Sequence, residues 1–283
     1  MSGSQGTAGE RSPPIWPQSL VLAGAGKMGG AMLRGWLALG MPGERISIVD
    51  PFVSADMEAL AQAHGFAINP SVPANPPEVL VLAIKPQMLD EAAGDVAKWC
   101  GPETMALSIL AGKTIADLAA RLPARAIVRA MPNTPAAVGR GITGAAASGG
   151  TSPAQQALAK DLLAAIGRVV WLDDEGLIDA VTAVSGSGPA YVFYLVECMA
   201  KAGEAAGLPA DLAMQLARAT VEGSGELMFR DGDTQAAQLR TNVTSPGGTT
   251  AAALAVLMAD DGLAPLMQRA ILAARKRAAE LSG

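Results

Sequence analysis

Through its first 172 residues the chain alternates short apolar runs with stretches of helical spacing, and this alternation restricts the fold more than any other feature. Ser19 to Ala23, Ile46 to Val49, Val79 to Ile84, Met105 to Leu110 and Ala126 to Arg129 read as strands. The run from Val79 to Ile84 is apolar throughout, as a strand buried on both faces must be. Residues 27–39, Ala55 to His64 and Ile115 to Arg121 carry helical spacing between them. Strands near 143–147 and 168–171 flank a helix at 153–166, whose Ser152-Pro153 start places proline at the first helical position. This order predicts an α/β fold, a mainly parallel sheet with helices on both faces.

The alternation stops near Asp173-Asp174-Glu175-Gly176, and no convincing strand follows. Leu208-Pro209-Ala210-Asp211 opens a helix reaching about Phe229. Gly262 precedes another, with Leu263, Leu266, Met267, Ala270, Ile271 and Ala274 as its apolar stripe. An α/β domain over 18–172 and an all-helical domain over 173–283 are therefore expected. Residues 1–17, rich in Gly, Ser, Thr and Pro and without an apolar signal region, read as a disordered leader.

Composition narrows the function. Half the residues are hydrophobic and 17% are charged, enough for a sizeable core, while only 4% are aromatic, which favours close packing of small side chains. A net charge of −5 provides no basic field for nucleic acid, and no apolar run has the length of a membrane span. Two cysteines, Cys100 and Cys198, suit a reducing cytoplasm better than a disulfide scaffold. The single histidine, His64, sits at an expected helix end and leaves neither a Ser-His-Asp triad nor a multi-histidine metal site, so no metal is expected.

Gly24-x-Gly26-x-x-Gly29 lies between a strand and a helix, the setting in which such glycines form a dinucleotide cradle. Gly24 permits the turn, Gly26 lets a pyrophosphate approach the backbone, and Gly29 lets helix and strand pack closely. Asp50 follows the second strand, 21 positions after Gly29, where an acid either accepts hydrogen bonds from an adenosine ribose and repels a 2′-phosphate or, with Pro51, simply terminates the strand. Taken alone, this loop leans toward NAD. Lys85, beside Pro86 at a strand end, either counters a phosphate or caps the sheet edge. Arg129-Ala-Met-Pro-Asn-Thr-Pro135 either holds backbone groups against a nicotinamide or serves as a stiff link.

Two later segments add a second site. Ser185-Gly-Ser-Gly-Pro-Ala-Tyr191 should kink or interrupt a helix, to allow either a close helix crossing or the approach of a ligand. Ser245-Pro-Gly-Gly248 is a turn into a helix from Thr249 to Met258. The first-turn N–H groups of that helix suit a carboxylate, although Thr249 or Thr250 can also act as an N-cap alone.

Five motifs, in this order and spacing, give the chain its resemblance to pyrroline-5-carboxylate reductases over residues 19–282. They are Gly24-Ala-Gly-Lys-Met-Gly29, Ala83-Ile-Lys-Pro86, Arg129-Ala-Met-Pro-Asn-Thr-Pro135, Ala183-Val-Ser-Gly-Ser-Gly-Pro-Ala-Tyr191 and Val243-Thr-Ser-Pro-Gly-Gly-Thr-Thr250. The resemblance implies an N-terminal Rossmann domain and reduction of L-1-pyrroline-5-carboxylate to L-proline. It also implies that the helical domain is both dimerisation and substrate domain, in a homodimer or a larger assembly such as a pentamer of dimers. Coenzyme contacts are expected from Gly24, Ala25, Gly26, Lys27, Met28, Gly29, Asp50, Ala83, Ile84, Lys85, Pro86, Ile109, Leu110 and Ala111. Substrate contacts are expected from Glu175, Asn242, Thr249 and Thr250, with Thr250 and Glu175 catalytic. The resemblance favours NADPH, whereas Asp50 favours NADH. A reductase of another small hydroxy or imino acid would call for a catalytic Lys or Asp in the helical domain, where nothing marks Lys201 for that task. A nucleotide-sensing helical dimer would have no use for Asn242 to Thr250.

Overall fold

The computed structural model describes residues 13–282, which form two compact units. The first runs to Ile178 and also takes in the last residues from Leu281; the second is Asp179–Glu280. The division falls a few residues beyond the expected 172/173 boundary, because Glu175 is hydrogen-bonded to Ile115 and Arg129 of the first unit.

In chain order the first unit contains β1 (Leu20–Ala23), α1 (Lys27–Ala38), β2 (Ile46–Val49), α2 (Ala55–His64), β3 (Ala67–Ile68), β4 (Val79–Leu82) and α3 (Leu89–Ala97). It continues through β5 (Met105–Ser108), α4 (Ile115–Ala119), β6 (Ala126–Met131), β7 (Gly141–Ala147), α5 (Pro153–Ala164), β8 (Gly167–Trp171) and the start of α6 (Ile178–Val181). The helix starts follow from local chemistry. Ser54 caps α2, while Thr114 with Asp117 and Ser152 with Gln155 close reciprocal capping boxes on α4 and α5.

The eight strands form one sheet in the order β3-β2-β1-β4-β5-β6-β7-β8. All neighbours are parallel except β6 and β7. These two are joined by a 3-10 turn, Thr134–Val138, with no crossover helix between them, and a short connection of this kind reverses strand direction. The first six strands have the Rossmann order, whose direction of winding switches between β1 and β4.

Strand alternation distributes the core to both sheet faces. Leu20, Leu22, Ile46, Ile48, Val79, Val81, Met105 and Leu107 cluster with Met32, Leu33 and Trp36 of α1, Met57 of α2 and Leu158 and Leu162 of α5. Val21, Ala23, Leu80, Leu82, Ala106 and Ile127 cluster on the other face with Leu89 and Val96 of α3 and Leu118 of α4. Cys100 is buried in this second cluster, and burial pushes its thiol up to about 11. The leader expected over residues 1–17 lies outside the described residues as far as residue 12. After that the chain is held: the Ile15 N–H donates to Asp161 at 2.8 Å, Trp16 packs against the core and Pro17 is buried.

The second unit holds the rest of α6, then α7 (Gly188–Ala205), α8 (Ala210–Arg230), α9 (Ala236–Asn242), α10 (Thr249–Leu257) and α11 (Leu263–Ser282) up to Glu280. Between α6 and α7 the small residues of Thr182–Gly186 form a π turn, in which the Ser187 N–H reaches the Thr182 carbonyl. The helix restarts with Pro189 in its first turn, so the expected interruption is present. The buried apolar residues of this unit are all alanines: Ala183, Ala200, Ala213, Ala217 and Ala278. Phe193, Tyr194, Met228 and Val256 are exposed, and α10 is apolar along most of its length yet buries no residue.

Trp36 is fully buried, and its indole Nε1 donates to the Leu162 carbonyl at 2.8 Å, tying α1 to α5. Trp36→Phe should therefore cost about 1–3 kcal/mol in denaturant unfolding followed by circular dichroism.

Candidate active site

The strand register brings most of the expected coenzyme residues to one edge of the sheet. Val49, Ala23, Leu82 and Ser108 stand side by side across β2, β1, β4 and β5, so Asp50, Gly24, Ala83 and Ile109 follow them at the carboxyl ends. Ligands of open α/β sheets bind at this edge, beside the switch in winding.

The three glycines of the first turn divide between packing and open space. Gly24 has φ +94°, and a Cβ there would stand 2.6 Å from the Ala83 carbonyl oxygen. A Cβ on Gly29 would run into the Gly24 carbonyl. Gly26 differs, because a Cβ there would meet nothing within 4 Å. Helix α1 begins directly after Gly26 with no side-chain cap and no acid in its first turn. Its first N–H groups and positive dipole end therefore remain for an anion, with Lys27 as the first helical residue. An open face at Gly26 above an uncapped helix start fits the pyrophosphate of a dinucleotide.

Asp50 is bonded directly to this turn. Its Oδ2 accepts the Ala25 N–H at 2.7 Å and its Oδ1 the Phe52 N–H at 2.8 Å. Next along the edge, the Ala83 N–H donates to the Ala23 carbonyl, Ile84 is half-buried, and Lys85 is exposed ahead of the 3-10 turn Pro86–Met88. Lys85 makes no ion pair among the described residues. The Ile109 N–H donates to the Leu82 carbonyl, Leu110 is buried, and Ala111 is exposed before Gly112.

Glu175 belongs to a small charged cluster that the sequence motifs did not reveal. Arg129, almost fully buried near the end of β6, donates from Nη1 to Glu175 Oε1 at 2.9 Å. The same oxygen accepts the Ile115 N–H at 2.8 Å, at the start of α4. A buried guanidinium needs such a partner, and Arg129 in the Arg129–Pro135 motif was the available signal. Within the same connection Asn133 is also committed, its Oδ1 accepting the Ile142 N–H at 2.9 Å.

The remaining expected substrate residues lie in the second unit. Asn242 ends α9, and its Oδ1 accepts from Gln238 at 2.7 Å. Ser245 to Gly248 form a turn closed by the Gly248 N–H on the Ser245 carbonyl, with Pro246 second and Gly247 third at φ +71°. A Cβ on Gly248 would strike the Ser245 hydroxyl. Helix α10 then starts at Thr249 without a side-chain cap, and neither the Thr249 nor the Thr250 hydroxyl has a partner among the described residues. The reading of these threonines as N-caps alone does not fit that geometry.

Among the described residues no group of His, Cys, Asp or Glu is arranged to hold a metal ion, and no helix is long and apolar enough to cross a membrane. The sheet order and the glycine cradle define a dinucleotide-binding protein of Rossmann type. Consistent with that class, residues 19–112 match a family model described as NADP oxidoreductase, coenzyme F420-dependent, and residues 175–281 match one described as pyrroline-5-carboxylate reductase dimerisation. Pyrroline-5-carboxylate reductase of Pseudomonas aeruginosa is 40% identical over 269 residues, covering 93% of this chain and 96% of the relative. That of Synechocystis is 46% identical over 208 residues, 74% of this chain and 76% of the relative. The solved pyrroline-5-carboxylate reductase of Coxiella burnetii superposes with a TM-score of 0.86 at 32% identity, over 95% of this chain and all of that one. The Plasmodium falciparum enzyme, solved with NADP bound, gives 0.76 at 26% identity, over 94% and 98%. The chain belongs to the pyrroline-5-carboxylate reductase family.

The glycine geometry makes a paired prediction. Gly26→Ala should change stability by less than about 0.5 kcal/mol yet weaken NAD(P)H binding about tenfold, read by nicotinamide fluorescence. Gly29→Ala should instead lower stability by roughly 1–3 kcal/mol, because its methyl group has no room.

Proposed function

We infer that this chain reduces L-1-pyrroline-5-carboxylate to L-proline with NAD(P)H, the last step of proline biosynthesis. Beside its family membership, the reading rests on one observation. The same chain carries a dinucleotide cradle with open space at Gly26 and, in α10, a helix start whose N–H groups and threonine hydroxyls are left for a small acid.

The substrate is a five-membered cyclic imine bearing a carboxylate. When bound, the reduced nicotinamide supplies the hydride that the imine carbon receives. The chain's own task is to hold the imine in place and to favour its protonated, more electrophilic form. In this proposal the Thr249 and Thr250 N–H groups receive the carboxylate, and the Thr250 hydroxyl meets the ring nitrogen. Asn242 borders the same turn. Glu175 already binds Arg129 and the Ile115 N–H through Oε1, so Oε2 is the oxygen assigned to substrate or to an ordered water. No histidine takes part in this route.

The division of labour follows: residues 18–172 hold the coenzyme through Gly24 to Gly29, Asp50, Ala83 to Pro86 and Ile109 to Ala111, and residues 173–283 serve substrate and assembly. A second copy of the chain is the proposed cover for Phe193, Tyr194, Met228 and Val256, because a unit that buries only alanines has too little apolar interior of its own. Further association into a pentamer of dimers rests on the family resemblance. Cys100 and Cys198, both free, support a cytoplasmic setting.

An absorbance assay with pyrroline-5-carboxylate and each reduced coenzyme tests the reaction, and absence of turnover with both would overturn it. Thr250→Ala should lower kcat/KM by about 1–3 kcal/mol of transition-state stabilisation, while Thr250→Ser should retain most of the activity. Static light scattering should report a dimer or a multiple of it.

A further inference from the structure

At the adenosine end of the coenzyme site, one carboxylate is fixed more tightly than strand termination requires. Asp50 Oδ2 takes the Ala25 N–H and Oδ1 the Phe52 N–H. Its backbone is held as firmly. The Asp50 N–H donates to Asn69 Oδ1 at 2.9 Å, and Asn69 Nδ2 donates to the Asp50 carbonyl at 2.8 Å. Asn69 adopts φ +47° in doing so, a left-handed conformation that asparagine tolerates better than most residues. An ionised carboxylate has about four lone-pair positions, of which the two N–H groups use two. Asp50 is only half-buried, so the others remain for hydroxyl donors.

The β2–α2 loop beside this carboxylate contains no provision for a second anion. From Asp50 to Asp56 the chain has neither Arg nor Lys. The Ser54 hydroxyl accepts the Met57 N–H as the cap of α2, and Asp56 and Glu58 in the first turn offset the positive end of that helix. The one cation of the glycine turn, Lys27, opens α1, where the pyrophosphate charge is expected. A dianionic 2′-phosphate would therefore stand beside a fixed negative charge with no counter-cation from the β2–α2 loop, whereas ribose hydroxyls would find an acceptor in place.

We propose that Asp50, held between Ala25 and Phe52, makes this chain selective for NADH over NADPH. The inference rests on the NAD(P)H-dependent reading above and narrows it. The Plasmodium falciparum relative was solved with NADP bound, so the shared fold does not by itself exclude a 2′-phosphate.

The test is direct coenzyme binding to the full chain without substrate, followed by nicotinamide fluorescence, with KM for each coenzyme measured alongside. NADH should bind about tenfold or more tightly than NADPH. Asp50→Asn keeps an acceptor for the Ala25 N–H but removes the charge, and it should weaken NADH and tighten NADPH. Phe52→Arg, at a position 86% exposed, leaves the Asp50 hydrogen bonds in place, adds a cation, and should tighten NADPH selectively. Equal or NADPH-favouring binding by the unmodified chain overturns the proposal. So does a parallel loss of both coenzymes in Asp50→Asn with an unchanged ratio in Phe52→Arg, the pattern of a purely structural tie. NADH-selective binding without turnover of pyrroline-5-carboxylate would uphold Asp50 and reject the substrate reading instead.

Discussion

Backbone against backbone at two glycines sets the geometry on which the first unit depends. Gly24 lies so close to the Ala83 carbonyl, and Gly29 so close to the Gly24 carbonyl, that neither position has room for a side chain. This contact lets α1 start directly above the carboxyl ends of β1 and β4, where its unpaired N–H groups face outward. It also brings the Ala25 N–H within reach of Asp50, tying the glycine turn to the end of β2. Moving α1 outward to admit a methyl group would disturb both together.

The sheet was largely legible because each strand in it is a short apolar run with clear punctuation. Ile46–Val49 and Ala55–His64 have the boundaries that residue patterns predict. The edge strand β3 has only two residues, too few for any periodicity, and α3 has only Leu89 and Val96 as buried contacts. Helix α9 buries nothing, so it carries no apolar stripe to read. The antiparallel step from β6 to β7 was hidden for another reason: strand direction depends on the connection, and Thr134–Val138 resembles a loop in sequence.

That the expected coenzyme residues share one edge of the sheet was equally legible, since they follow strand ends whose register is shared. Glu175 was not. Its place beside Asp173 and Asp174 gives no hint that a buried Arg129, from a strand 46 positions earlier, takes one of its oxygens. Long-range charge pairs of this kind have no local pattern, and the cost of leaving Arg129 unpaired becomes apparent only once its burial is known. Thr249 and Thr250 show the converse, as their local turn identified the helix start but not that their hydroxyls would be left without partners.

The alanine-lined interior of the second unit bears on how the chain behaves among its own kind. If a second copy covers this unit's large exposed side chains, as proposed, completion of the helical unit depends on encounter and stability rises with subunit concentration. Partner choice would then be decided by the helical segment, whatever the condition of the nucleotide domain attached to it. A subunit with a broken glycine cradle but intact helices would still be recruited into assemblies. In a mixed population such a subunit would lower activity by occupying places in assemblies.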